Sequence, residues 1–63
     1  MYTILEWVGD EFFARPGEDG WKEVFKGKSR EAADKEMMRL TLLWKKAVLY
    51  KNGVHVARNY DNN

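Results

Sequence analysis

The 63-residue chain contains no cysteine, a single proline and a single histidine, and Ser29 is its only serine. Without cysteine it has no disulfide framework, no thiolate metal ligand and no thiol nucleophile, which fits a reducing compartment and predicts a cytoplasmic protein. His55 and Ser29 do not make a Ser/His/Asp set, since Ser29 is better placed as a helix cap. The sequence therefore predicts a protein that is not an enzyme.

Patterns that hold ligands are missing as well. The glycines form no phosphate-cradling motif, and the acidic residues lack the spacing of a calcium loop. The pairs Asp10-Glu11 and Glu18-Asp19 fall at turns, where solvated carboxylates are common, so we interpret them as loop residues rather than as a general acid and base. We expect neither a metal nor a cofactor.

Long apolar runs are also absent. A bilayer-spanning helix needs roughly 18 consecutive apolar residues, and Met1 is not followed by a basic and then an apolar segment. The sequence predicts neither secretion nor membrane insertion. With 44% hydrophobic residues, the chain is nevertheless apolar enough to fold. Its length predicts one small domain over 1–63 that buries about 60% of the surface its unfolded form exposes.

Charge is balanced overall but divided along the chain. The formal net charge is +1 at pH 7. Residues 1–20 carry five carboxylates and one arginine, a net charge of −4, whereas the remainder carries ten lysines and arginines against five carboxylates, a net charge of +5. Such a division bears on binding partners rather than on the fold.

Two or three strands are predicted before the only predicted helix. Tyr2–Val8 is rich in β-branched and aromatic residues, and Gly9-Asp10 ends it. Residues 11–15 (EFFAR) are a candidate second strand, and the segment PGEDG after them is the most loop-like part of the chain. Trp21–Lys26 alternates, with lysines that suit an edge strand.

A helix is predicted to begin after Ser29, whose hydroxyl can cap it, and to end between Leu43 and Lys46. Its predicted core stripe has helical spacing and consists of Ala33, Met37, Leu40 and Trp44. Met38 and Leu42 fall on a flank outside that stripe.

The closing segment AVLYKNGVHVARNY predicts a β-hairpin, because Asn52-Gly53 favours a two-residue turn. That turn pairs Tyr50 with His55 and Leu49 with Val56, and it places Ala47, Leu49, Val54 and Val56 under the helix. Tyr50 and His55 then form an ordinary aromatic pair on the other face, and residues 59–63 form a frayed polar tail. The predicted fold class is α+β: an antiparallel sheet of three to five strands with one amphipathic helix packed on one face, in the order β-(β)-β-α-β-β.

Aromatic and basic residues supply the candidate sites. Three Trp, three Tyr and three Phe exceed what a thin two-layer core hides, and exposed aromatics beside arginine are common anchors of protein interfaces. We therefore expect a protein partner to dock on a surface formed by Trp21, Trp44, Tyr50, Lys22, Lys26, Lys28, Arg30, Lys45, Lys46, Lys51 and Arg58.

Two alternatives remain open at this point. Cations interleaved with aromatics are also typical of single-stranded nucleic-acid binders, although a net charge of +1 is low for such a protein. Homodimerisation through an edge strand is the other alternative.

The helix opening with Ser29-Arg30-Glu31-Ala32-Ala33 follows a meander and precedes a hairpin, in a short chain without cysteine. This layout resembles the small accessory proteins that bacteriophages make early in infection, which include anti-CRISPR proteins, phage antitoxins and host polymerase inhibitors. The resemblance rests on size and layout over the whole chain and assigns no individual residue. It implies a stoichiometric inhibitor or regulator that covers a surface of a partner protein.

Overall fold

The computed structural model describes residues 1–9, 16 and 19–60. In chain order the elements are β1 (Tyr2–Trp7), β2 (Trp21–Gly27), α1 (Arg30–Leu42), β3 (Ala47–Lys51) and β4 (Val54–Arg58). The strands form one antiparallel sheet in the order β2-β1-β3-β4, and α1 packs against β1, β2 and β3. The predicted fold class is confirmed. The candidate strand at 11–15 lies outside the described residues.

The helix begins where the sequence predicts. The Ser29 hydroxyl accepts a hydrogen bond from the Ala32 N–H at 3.1 Å, so it satisfies one of the amide donors that the first turn leaves unpaired. Ala33 and Leu40 are buried and Met37 is partly buried against the core, which confirms three of the four stripe residues. The prediction that Trp44 belongs to that stripe is wrong, because α1 ends at Leu42.

The core lies between α1 and the two central strands. Its fully buried members on this side include Ile4 from β1, Leu40 from α1 and Leu49 from β3. Tyr2, Ala33 and Ala47 complete the cluster, and Val24, Phe25 and Ala57 pack against it. A register shift between Ile4 and Leu5 lets both Val24 and Phe25 of β2 contact the cluster, so the strict alternation expected for that strand is wrong.

The hairpin follows the predicted pairing only near its turn. Asn52 (φ 51°) and Gly53 (φ 81°) take the left-handed conformation that a two-residue hairpin turn requires, and Tyr50 pairs with His55 as predicted. A shift between Leu49 and Tyr50 then pairs Leu49 with Ala57 rather than with Val56. The prediction that Val54 and Val56 lie under the helix is wrong, since both side chains are exposed.

We call the side of the sheet away from α1 the reverse face. Val48 pairs with Leu5 there and is fully buried, although it does not belong to the helix-side cluster. The neighbouring side chains of Leu5, Trp7 and Tyr50 are half-buried. The side chains on this part of the reverse face are therefore only partly exposed to solvent. The outer strands of the described sheet are β2 and β4.

Candidate interaction surface

The predicted interaction residues fall at two opposite ends of the sheet. The turn end lies beside the Asn52-Gly53 turn and carries Lys26, Lys28, Arg30 and Lys51, and Tyr50, the residue before Lys51 in β3, lies on the reverse face near the same end. The opposite end, which we call the groove end, carries Trp21, Lys22, Trp44, Lys45, Lys46 and Arg58. The structure therefore divides the predicted surface in two.

Two cations of the turn end bind groups of the chain itself. The Arg30 guanidinium lies 3.0 Å from the Asp34 carboxylate and 5.8 Å from the centre of the Tyr2 ring. The Lys51 ammonium lies 5.8 Å from the same ring. The hydrogen bond with Asp34 raises the pKa of Arg30 above its usual value. These cation–ring contacts help to hold the first residue of β1 beside the hairpin.

The N-terminus reinforces that arrangement. The Met1 ammonium donates a hydrogen bond to the Asn52 side-chain oxygen at 2.7 Å, and the Asn52 N–H donates to the Met1 carbonyl at 2.8 Å. Because Arg30, Lys51 and the Met1 ammonium all contact groups of the chain itself, part of the positive charge of the turn end has a structural role.

The outer surface of α1 is neutralised along its length. Its ion pairs join Arg30 to Asp34, Lys35 to Glu31 at 3.6 Å and Arg39 to Glu36 at 2.6 Å. The last pair is held by two hydrogen bonds, which raise the pKa of Arg39 and lower that of Glu36. The electrostatic field outside the helix is therefore weak. The positive charge of the groove end comes from lysines and arginines that lie outside α1.

Trp44 follows the helix in an unusual conformation. The Trp44 N–H donates to the Thr41 carbonyl at 3.1 Å and the Lys45 N–H donates to the Leu40 carbonyl at 2.9 Å, which is the Schellman arrangement at a helix end. This arrangement needs a left-handed residue, and Trp44 (φ 59°) occupies the position that glycine usually takes. Its indole is 95% exposed. The side chain therefore adds almost nothing to packing while its backbone is strained.

A groove opens beside Trp44. It has a volume of about 260 Å³ and is lined by Thr41, Trp44, Lys45, Lys46, Asn59 and Tyr60. Leu42, the last residue of the helix, is 74% exposed, and Leu43 after it is exposed as well. The groove end thus combines exposed apolar side chains with two adjacent lysines.

Asn59 fixes the wall of the groove. Its side-chain oxygen accepts from the Ala47 N–H at 2.8 Å, and its amide nitrogen donates to the Thr41 hydroxyl and to the Lys45 carbonyl, both at 2.9 Å. One side chain therefore joins the helix end, the segment that carries Trp44 and the start of β3. The sequence predicts instead that residue 59 belongs to a frayed tail, and this is wrong for Asn59.

Tyr60 connects the groove with the reverse face. Its ring centre lies 6.1 Å from that of Trp21, which in turn packs edge-on against Trp7 at 5.5 Å. The Arg58 guanidinium lies 5.7 Å from the Tyr60 ring, and burial raises the pKa of the Tyr60 phenol. An aromatic residue in an otherwise polar C-terminal segment is the sequence signal that could have identified Tyr60 as a packed residue.

Tyr50 and His55 form the pair that the hairpin predicts. Their ring centres are 5.7 Å apart at an interplanar angle of 81°, on neighbouring strands.

Among residues 1–9, 16 and 19–60, no cluster of three acidic or histidine side chains is arranged to hold a metal ion, and no helix is long and apolar enough to span a membrane.

Comparisons of this chain with protein-family models, with curated proteins and with solved structures found no match.

Proposed function

We propose that this protein is a non-enzymatic binding protein that docks on a partner protein through the groove end, with Trp44 as its central anchor, and so occludes the partner's surface. The observation that carries the proposal is the combination at Trp44 of a left-handed backbone with a 95% exposed indole. Both features oppose folding stability, and strained residues of this kind concentrate at functional sites.

The surroundings of Trp44 support the same function. Tryptophan is enriched among the residues that dominate binding energy at protein interfaces, especially where neighbouring apolar contacts exclude water from it. Leu42 and Leu43, the two residues before Trp44 in the chain, are also exposed apolar residues, and the Tyr60 ring lines the groove together with Trp44. The resemblance in size and layout to small phage accessory proteins is the reason that the proposal specifies a stoichiometric inhibitor acting on a host protein or complex.

The test is affinity capture from a bacterial lysate with the wild-type chain and two variants. Trp44→Gly removes the anchor and, because glycine tolerates the left-handed backbone, is expected to fold at least as stably as wild type. Val54→Ala is the matched control, since Val54 is a 65% exposed apolar residue at the turn end.

We expect one protein, identified by mass spectrometry, to be retained at a 1:1 ratio by wild type and by Val54→Ala and to be lost with Trp44→Gly. Retention of the same partner by Trp44→Gly would contradict the proposal.

A further inference from the structure

Building on the proposed function, we infer that the groove beside Trp44 receives an acidic segment of the partner that carries one large apolar side chain. The apolar side chain would enter between Trp44 and Tyr60, and the acidic residues beside it would approach Lys45 at the rim. The class of partner follows from the size, the lining and the charge of the groove.

The volume points to a side chain rather than to a cofactor. Small-molecule sites usually occupy about 300–1,000 Å³, and the groove, at about 260 Å³ and open to solvent, is smaller than that range. A cavity of this size accommodates the anchor side chain of a protein segment, which is the usual way in which interface pockets are filled.

The lining favours an apolar occupant at the centre. The polar side chains of Thr41 and Asn59 are already hydrogen-bonded, since the Thr41 hydroxyl donates to the Met37 carbonyl and accepts from the Asn59 amide. The Asn59 amide also donates to the Lys45 carbonyl. The Trp44 and Tyr60 rings therefore offer the main surface for a new contact, and that surface is aromatic.

The charge at the rim favours acidic flanking residues. Lys45 is exposed and forms no ion pair among the described residues, Lys46 lines the same groove, and no carboxylate lies among the described lining residues. The acidic residues of α1 are paired with cations of the same helix. A partner segment with acidic residues would therefore meet the unpaired positive charge of Lys45, which speeds association and selects its orientation.

The experiment uses synthetic peptides on the full chain. The main probe is a peptide with one phenylalanine between two runs of four glutamates. In one matched peptide alanine replaces the phenylalanine, and in the other lysines replace the glutamates. An oligothymidylate of equal length tests for nucleic acid. Binding is followed by the NMR signal of the Trp44 indole N–H, which is assigned by its loss in Trp44→Gly.

We expect the acidic phenylalanine peptide to shift the Trp44 signal and to bind at least about tenfold more tightly than either matched peptide. Lys45→Glu should weaken that binding about tenfold, whereas Lys28→Glu, which changes the net charge equally at the turn end, should change it less than about twofold.

Three results would overturn the inference: no peptide shifts the Trp44 signal, Lys28→Glu weakens binding as much as Lys45→Glu, or the oligothymidylate binds more tightly than the acidic peptide. Any of these, combined with loss of the captured partner in Trp44→Gly, would leave the proposed function standing. Retention of that partner by Trp44→Gly would instead refute the proposed function as well.

Discussion

Trp44 is the residue at which stability and binding are expected to oppose each other. A left-handed backbone disfavours any side chain with a Cβ by about 1–2 kcal/mol, and glycine escapes this penalty. We therefore predict that Trp44→Gly is about 1 kcal/mol more stable than Trp44→Ala, which removes the same indole but keeps the Cβ. Urea unfolding monitored by circular dichroism measures the difference. Equal stability of the two variants would show that the conformation of residue 44 is not strained.

The same residue shows why sequence patterns mislead at the end of a helix. Ala33, Met37, Leu40 and Trp44 have helical spacing, and the first three do contact the core. The helix nevertheless ends at Leu42, and the Schellman bonds turn the chain at Trp44. Glycine normally marks such an end, so a tryptophan in its place gave no signal. The sequence predicts Trp44 both as part of the core stripe and as part of the exposed interaction surface, and the structure agrees with the exposed position.

At the scale of single elements, the connection between α1 and β3 depends on Asn59. We predict that Asn59→Ala destabilises the protein by about 2 kcal/mol, because it removes three hydrogen bonds and each is worth roughly 1 kcal/mol or less. Thr41→Val is the control, since it removes only one of Asn59's partners, and it should destabilise the protein less. Both are measured by urea unfolding. An effect of Asn59→Ala no larger than that of Thr41→Val would show that Asn59 does not organise the connection.

The helix supplies a prediction about pH. Because the hydrogen bond with Arg39 lowers the pKa of Glu36 in the folded state, the stabilisation from this pair is fully present above the ordinary pKa of about 4.5 and is lost as the pH falls through the lower folded value. The free energy of unfolding, measured between pH 3 and 7, should therefore decrease less with falling pH in Glu36→Gln than in the wild type. Glu31→Gln, which removes a more exposed and longer ion pair, should change the pH profile less. Identical profiles for the two variants would contradict the prediction.

The elements also show how far sequence reasoning extends. The Ser29 cap, the Asn52-Gly53 turn and the position of β2 at an edge of the described sheet follow from local chemistry, and the sequence predicts all three. The predicted register of the hairpin is wrong beyond Tyr50 and His55, because a register shift places Ala57 rather than Val56 opposite Leu49. Asn59 then reaches back to Ala47, a contact twelve residues away that residue types alone do not specify. The groove depends on that contact, so its composition was not predictable either.

At the scale of the whole molecule, the placement of the lysines separates protein binding from nucleic-acid binding. Single-stranded nucleic acid binding weakens with salt by a log–log slope of about −0.7 for each phosphate neutralised. If only Lys45 and Lys46 at the groove neutralise phosphates, the expected slope is about −1.4. The six lysines of the nucleic-acid hypothesis (Lys22, Lys26, Lys28, Lys45, Lys46 and Lys51) together give about −4.

Because the structure divides those lysines between two ends of the sheet and the net charge is only +1, we predict weak oligothymidylate binding with a slope no steeper than about −2. Fluorescence anisotropy of a labelled oligonucleotide across a salt series measures the slope, with Lys45→Glu and Lys28→Glu as matched variants at the two ends. A slope near −4 that becomes shallower in both variants would mean that one strand contacts both ends. The molecule would then be a nucleic-acid-binding module, since the protein-docking proposal requires only the cations beside Trp44.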